Sequence, residues 1–190
     1  MDTAVALVRA YLQLNGYFTI TEYPVLRREN GSLRTLTEVD IAAFRLPHGE
    51  PDYVTDPALQ VPHGQADMII GEVKEGRALI NESANDPRVV AKVLRRFGCC
   101  TEAEAKHVAR ALLANGKART RAGHGIRMLA FGTAPPERSG SYLTVLLSDV
   151  VAYVDRYLDE NWEVVRAAGS KDPIFGVMVL LAKARSHNHR

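Results

Sequence analysis

The chain lacks most of the features that mark secreted and membrane proteins. Its only two cysteines, Cys99 and Cys100, are adjacent, so we interpret them as reduced thiols of a cytoplasmic protein rather than as a disulfide framework. No apolar run approaches the about 20 residues needed to span a membrane. The first residues place no basic segment ahead of an apolar one, so we expect neither a signal peptide nor a membrane partner.

Repeats, low-complexity tracts and linkers are absent as well. The 190 residues, of which 46% are hydrophobic and 24% charged, are typical of one soluble globular domain. We therefore predict a single domain over residues 1–190. Its core is expected in residues 3–147, with C-terminal helices in residues 149–187.

Charge is distributed unevenly along the chain, although the net charge is only +2. Residues 1–87 contain thirteen acidic and seven basic residues, whereas residues 88–127 contain ten basic residues and only two acidic ones. An acidic first half followed by a basic middle suits a protein that holds a polyanion on one surface and performs chemistry at another.

Acidic side chains in two apolar, β-prone runs are the strongest functional signal. Glu38 and Asp40 lie in the first run, and Glu72 and Lys74 lie in the second. Because strand side chains alternate between faces, each pair is expected on one face of its strand. A charge in such a run is costly unless it has a metal ion, an ionic partner or water. If the strands are neighbours, they form a site for a hard divalent cation.

Periodicity and turn signals predict an α/β protein. Asn-Gly turns, capping residues and Pro residues mark the ends of the elements. The long segment between the second and third strands, residues 47–65, is rich in Pro, Gly and Asp and is expected to be functional or mobile. The predicted elements are helices at 3–15, 86–97, 101–115, 149–167 and from 172 onward, and strands at 17–28, 33–46, 66–74, 126–132 and 142–147.

Two motifs in this order resemble those of the PD-(D/E)XK nuclease superfamily. They are Glu-Val-Asp-Ile-Ala-Ala at 38–43 and Ala-Asp-Met-Ile-Ile-Gly-Glu-Val-Lys-Glu-Gly at 66–76, and they follow a helix ending in Asn-Gly-Tyr-Phe and a hairpin. The resemblance covers roughly residues 3–132. It implies a restriction-endonuclease-like α/β sandwich, with a central mixed sheet flanked by helices.

The resemblance also implies a catalytic set of Asp40, Glu72 and Lys74. Asp40, Glu72 and the backbone carbonyl of Val73 would hold Mg²⁺ or Mn²⁺. Glu38 matches a glutamate that some members carry and is a further candidate ligand. Lys74 would orient the attacking water or stabilise charge on the phosphoryl group. The implied reaction is phosphodiester hydrolysis, with DNA favoured over RNA because most relatives act on DNA.

The basic middle offers two candidate nucleic-acid contact surfaces. The first is one face of the helix at 86–97, and the second is the loop that follows residue 116. Phosphate contacts of this kind position a nucleic acid without reading its sequence. Lys92 is also a candidate for an extra active-site residue, because members of the superfamily often use a polar side chain from that helix. The candidates are Arg88, Lys92, Arg95, Arg96, Lys117, Arg119 and Arg121.

Other acidic and histidine residues carry weaker signals. By alternation, Asp67 faces away from Glu72, so we interpret it mainly as a residue at the start of a strand, with a smaller chance of assisting the site. Four loop residues have no recognisable zinc spacing and are expected in solvent: His48, Asp52, Asp56 and His63.

Three hypotheses remain at this point. The first is a metal-dependent nuclease. The second is an inactive protein of the same fold that binds nucleic acid or serves in an assembly, which is favoured by the lack of any acidic residue in residues 3–15. The third is an unrelated α/β binding domain whose charged residues are surface decoration. The apolar C-terminal helices either cover the sheet or form the contact of a homodimer.

Overall fold

The computed structural model describes residues 2–47, 54–168 and 172–187. His48 and Asp52 lie outside the described residues. A short 3₁₀ turn occupies Pro57–Leu59. Within the described residues the helices are α1 (Thr3–Leu14), α2 (Pro87–Arg96), α3 (Glu102–Asn115), α4 (Leu147–Glu160), α5 (Trp162–Ala168) and α6 (Pro173–His187). The strands are β1 (Phe18–Glu29), β2 (Ser32–Arg45), β3 (Asp67–Val73), β4 (Lys117–Arg119), β5 (Gly125–Gly132) and β6 (Leu143–Leu146).

The strands form one mixed sheet in the order β1-β2-β3-β5-β4, with β6 also paired to β5. The β1–β2, β2–β3 and β4–β5 pairs are antiparallel, whereas the β3–β5 and β5–β6 pairs are parallel. Because β4 pairs with the first half of β5 and β6 with its second half, both fit along the same edge of β5. The expected α/β architecture with a mixed central sheet is confirmed.

Helices cover both faces of this sheet. Alternation along β3 sends Ile69 into a core with α1 and α4, and Ile70 into a second core with α2 and α3. All seven residues of β3 are buried. The central strand is therefore enclosed on both sides, and any charged group on it must find its partners inside the protein.

The C-terminal helices pack on the α1 side of the sheet. Tyr153 of α4 meets Tyr11 of α1 edge-to-face, with 5.4 Å between ring centroids. Ala182 of α6 belongs to the same buried cluster. The single helix expected at 149–167 is two helices, because α4 ends at Glu160. Asn161 caps it, and both its side-chain Nδ2 and its backbone N–H donate to the carbonyl of Tyr157. No helix among the described residues combines the length and the apolarity needed to cross a membrane.

Two expectations about loops were wrong. Asp56 was expected in solvent but is buried, because its carboxylate accepts the Tyr11 hydroxyl at 2.7 Å and its backbone N–H donates to Asn15 Oδ1 at 2.7 Å. His63 is exposed, as expected. The basic segment after residue 116, expected to be a loop, begins with strand β4, because its backbone pairs with the start of β5.

Candidate active site

The pairing of β2 with β3 brings the two acidic motifs together. Ile41 lies opposite Gly71, and Asp40 and Glu72 each lie one residue beyond that pair. Gly71 allows this close approach, because a Cβ at this position would lie 2.7 Å from Ile41 Cγ2. The strand register therefore places both predicted metal ligands at the same point of the sheet.

Lys74 links the two carboxylates. Its Nζ lies 3.1 Å from Asp40 Oδ2 and 3.1 Å from Glu72 Oε2. Asp40 Oδ2 also accepts the backbone N–H of Val73 at 2.8 Å, which fixes its carboxylate against the end of β3. Two oxygens that contact one nitrogen are at most twice that distance apart, well inside the about 8 Å beyond which they could not share a cation. The three residues that the resemblance names as catalytic form one cluster.

Of the three residues in this cluster, Glu72 has the least favourable electrostatic environment. It is only 2% exposed, and its Oε1 is buried without any hydrogen-bond partner among the described residues. Its Oε2 accepts from Lys74 and, at 2.5 Å, from Asn81 Nδ2. Burial raises the pKa of Glu72 to about 7, and the nearby Asp40 adds to this rise, while Lys74 and Asn81 oppose it. Near neutral pH, the positive charge around Glu72 is therefore too small to keep its carboxyl group fully ionised.

The lysine responds in the opposite sense. The Lys74 side chain is 31% exposed, more than either carboxylate it contacts. Burial lowers the pKa of Lys74, but the attraction of Glu72 and Asp40 outweighs it, so the net shift is upward. Lys74 is therefore a stable cation with one side open to solvent, where a substrate could approach it.

The cluster fits a hard divalent cation. The orphaned oxygen and raised pKa of Glu72 are what a bound cation would correct, since it supplies both an oxygen-seeking partner and positive charge. Among the described residues, however, no group of three or more His, Cys, Asp or Glu side chains is placed to hold a metal ion. Mg²⁺ commonly uses only one or two carboxylates and completes its shell with waters and substrate phosphates. Asp40 and Glu72 match that sparse mode of binding, and the part of the Val73 carbonyl in it stays a prediction.

Glu38 does not complete a group of three ligands. Simple alternation would place Val39 and Ile41 on one face, yet Val39 packs in the α2 side core and Ile41 in the α1 side core. On β1, Glu22 has a left-handed φ of 52° and is left out of the pairing with β2, so the ladder is irregular beside Asp40. Glu38 is exposed. Its role as a ligand stays a prediction.

Asp67 belongs to a separate cluster at the other end of β3. Its buried carboxylate accepts the Tyr17 hydroxyl at 2.6 Å and Nε and Nη2 of Arg127 at 2.9 and 2.7 Å. Nη1 of Arg127 donates to the carbonyl of Leu59 at 2.5 Å, which ties down the segment before β3. Five residues along a strand separate Asp67 from Glu72, or about 17 Å. Asp67 begins the strand, as expected, and its partners give it a structural role.

The basic residues of α2 lie on the surface around β1 rather than at the carboxylates. Lys92 Nζ donates to the carbonyl of Leu26 at 3.0 Å, and Arg96 Nε donates to the hydroxyl of Tyr23 at 3.2 Å. The ammonium of Lys92 is therefore held at β1, and the extra active-site role expected for it gains no support.

The second basic surface lies at the Asp67 end of the sheet. Lys117 and Arg119 are exposed on β4, which pairs with residues 125–127 of β5. Those residues lie beside the start of β3, the end opposite Glu72. Arg121 follows β4 and is also exposed. Contacts of these three residues with nucleic acid stay predictions, and they would be made away from the carboxylate cluster.

Two residues important to these clusters gave little warning in the sequence. Asn81 holds Glu72 from a turn in the segment between β3 and α2, and no motif marks it. Arg127 interrupts the apolar run of β5, and a buried arginine needs an acidic partner. Its acidic partner is Asp67, at the start of the apolar run that forms the neighbouring strand β3.

Comparisons with known proteins found no similar protein. No protein-family model, curated protein or solved structure matches the chain. The link to the nuclease superfamily therefore rests on the two motifs and on the cluster that they form.

Proposed function

We propose that the protein is a metal-dependent nuclease of the PD-(D/E)XK type that hydrolyses phosphodiester bonds, with DNA as the favoured substrate. The observation that carries the proposal is the contact of one lysine with both acidic motifs. Lys74 lies 3.1 Å from Asp40 and 3.1 Å from Glu72. A chance surface pair would not also bury Glu72 and orphan its Oε1.

The metal ion would be held by Asp40, Glu72 and the carbonyl of Val73. A bound Mg²⁺ or Mn²⁺ supplies Lewis-acid chemistry, since it neutralises phosphoryl charge and lowers the pKa of water. Asp40 is positioned for this by the N–H of Val73, and Glu72 by Asn81. Both carboxylates are therefore held by the protein before any ligand arrives, which reduces the cost of organising the site.

Lys74 would act on the substrate from the open side of the cluster. Its ammonium has three donors, and two of them are directed at Asp40 and Glu72. When a cation takes over the charge of those carboxylates, Lys74 is free to orient a water or to stabilise charge that develops on the phosphate. Phosphoryl transfer depends mainly on such positioning and charge stabilisation.

A second candidate is an inactive protein of the same fold that binds nucleic acid or serves in an assembly. The finding that favours it is the absence, within residues 2–47, 54–168 and 172–187, of any group of three side chains placed to hold a metal. On this alternative Lys74 is the permanent counter-ion of the two carboxylates and replaces the metal.

Cleavage assays with matched variants distinguish these candidates. Labelled single-stranded, duplex and branched DNA, with an RNA control, would be incubated in Mg²⁺, Mn²⁺ or EDTA. Lys74→Ala should lower the rate by about 10²- to 10³-fold, the usual cost of losing one donor to developing charge. Arg77→Ala is the control, because Arg77 lies three residues away in a half-exposed ion pair with Glu137. It removes the same charge and should retain activity.

Each failure has a distinct meaning. Equal activity of Lys74→Ala and wild type would remove the proposed role of Lys74. Absence of cutting on every substrate by the folded wild-type protein in Mg²⁺ and Mn²⁺ would favour the inactive candidate. Cutting that persists in EDTA would exclude metal dependence.

A further inference from the structure

A groove between α2 and α3 carries a concentrated positive charge. It has a volume of about 350 Å³, and Pro87 and Ala91 form part of its lining. None of its lining residues is aromatic. Its charged lining residues are five cations and one acid: Arg88, Lys92, Arg95, Lys106, Arg110 and Glu102.

The cations form two rows that face each other across the groove. Arg88, Lys92 and Arg95 follow three- and four-residue spacing on α2, and Lys106 and Arg110 are four residues apart on α3. Four residues of helix rise about 6 Å. Successive charges in each row therefore repeat at a distance similar to that between neighbouring phosphates of an extended strand.

Part of this arrangement is unfavourable to the helices. Like charges four residues apart destabilise a helix, as Lys106 and Arg110 do on α3. Arg95, in the last turn of α2, is favoured by the helix dipole. The ten residues of α2 include four cations and no acid, and Arg88 stands in the first turn, where the helix dipole disfavours positive charge. An unfavourable row of charges on a solvated surface is better explained by an anionic ligand than by folding.

The ion pairs within the groove are weak enough to exchange for such a ligand. Arg88 pairs with Asp86 and is 86% exposed, and Arg95 pairs with Glu102 with both side chains about half exposed or more. Exposed pairs of this kind contribute little to stability. Lys106 and Arg110 are exposed as well. Lys92 Nζ donates to the carbonyl of Leu26 at β1 instead. The other four cations can therefore be offered to phosphates without dismantling any buried structure.

We infer that this groove binds one phosphodiester strand of nucleic acid through its backbone, without reading base sequence. The inference rests on the proposed function, which supplies nucleic acid as the polyanion. The lining has no aromatic ring on which bases could stack, and its five cations favour phosphate contacts as the main source of affinity.

The groove is also close to the carboxylate cluster along the chain. Its lining begins at Pro87, six residues after Asn81, which contacts Glu72. Six residues span at most about 21 Å. A strand held between α2 and α3 can therefore continue toward Asp40 and Lys74. The rival basic surface on β4 lies at the opposite end of β3.

The test compares two charge-neutralising variants of the full chain. Lys106→Gln/Arg110→Gln removes the α3 row, and Lys117→Gln/Arg121→Gln removes the same charge from the β4 surface. Fluorescence anisotropy in EDTA would follow binding of a labelled single strand, a duplex and an RNA strand over a range of salt concentrations. Because all four positions are exposed, both variants should retain the thermal midpoint of the wild type.

For a single strand, each lost phosphate contact lowers the slope of log K against log salt by about 0.7, so the α3 variant should lose about 1.4. The β4 variant should keep the wild-type slope. An unchanged slope in the α3 variant, an equal loss in both variants, or no binding by the wild type would each overturn the inference. So would competition by poly-glutamate as strong as that by the nucleic acid strand. Binding with the expected slopes but without cleavage in metal would leave the groove intact and overturn only the nuclease activity.

Discussion

Strand β3 carries a buried acid at each end, and the negative charges of the two acids are balanced in different ways. At the start, the carboxylate of Asp67 receives three hydrogen bonds, two of them from Arg127 and one from Tyr17. At the end, Glu72 Oε2 receives two hydrogen bonds, and Oε1 receives none from the described residues. The charge of Asp67 is therefore balanced and its hydrogen bonds are made, whereas Glu72 has too little positive charge around it.

The geometry of the cations explains much of this difference. Arg127 is bidentate and serves a single carboxylate, which is the arrangement that best repays desolvation. Lys74 divides one ammonium between two carboxylates. The fold supplies every hydrogen bond and the counter-charge that Asp67 needs, but not those that Glu72 needs at the other end of the same strand. This difference points to a ligand at Glu72. Substitutions at the two ends of β3 are therefore expected to have different effects.

The largest expected effect comes from removing the cation at each end. Arg127→Met leaves the 1% exposed Asp67 without its ionic partner and should lower the free energy of unfolding by about 3–5 kcal/mol. Lys74→Met should cost much less, because Lys74 is partly solvated and Glu72, with a pKa of about 7, can take up a proton instead. Urea denaturation at pH 6 measures both values.

The unfolding experiment has a clear opposing outcome. Equal losses for the two variants would mean that both ends of β3 are ordinary structural ion pairs. Arg185→Met is a useful control, because Arg185 is exposed and its pair with Asp155 should contribute little to the free energy of unfolding.

The second prediction concerns pH. The folded-state pKa of Glu72, about 7, lies above its ordinary value of 4.5, so the native state binds more protons than the unfolded state between those values. The free energy of unfolding should therefore fall as pH rises from about 4.5 to 7, by an amount of the order of 3 kcal/mol from this group. Thermal or urea unfolding at pH 5 and 7.5, without metal, measures the fall.

Glu72→Gln should remove most of this dependence, since glutamine does not titrate. Glu102→Gln, the same substitution at an exposed position, should leave it in place. Added Mn²⁺ should restore stability to the wild type at pH 7.5 but not to Glu72→Gln, because ligand binding to the native state stabilises it. The same pH dependence in the wild type and in Glu72→Gln would contradict the shifted pKa of Glu72.

Much of this comparison was accessible from the sequence, and the missing part has a physical cause. The apolar, β-prone runs around Asp40 and Glu72 predicted two strands and left open whether they are neighbours. The register of β2 with β3 then brings Lys74 to both acids. Alternation fails between Val39 and Ile41, which pack in different cores. The left-handed φ of Glu22 on the paired strand has no sequence signal either.

Contacts made by loops were the least predictable. Asp56 was expected in solvent because its neighbours are typical loop residues, yet it caps a 3₁₀ turn and bonds Tyr11, 45 residues away. Asn81 reaches Glu72 from a turn whose own sequence indicates only a break before a helix. Pairings of this kind depend on how separate segments meet in three dimensions, which local propensity and periodicity do not encode.

The smallest expected effect concerns the neutral donor at each end of β3. Asn81→Ala removes a donor that stabilises the ionised form of Glu72, so the pKa of Glu72 should rise further and a proton should compete better with the metal. Residues that orient metal ligands typically contribute 10- to 100-fold in affinity, and we expect about tenfold weaker Mn²⁺ binding at pH 7 by calorimetry. Asn85→Ala, in the same turn, is the matched control. Tyr17→Phe at the Asp67 end should lower stability by about 1 kcal/mol and leave Mn²⁺ binding unchanged. If Tyr17→Phe weakened Mn²⁺ binding as much as Asn81→Ala did, the two ends of β3 would form one coupled site rather than a structural end and a functional one.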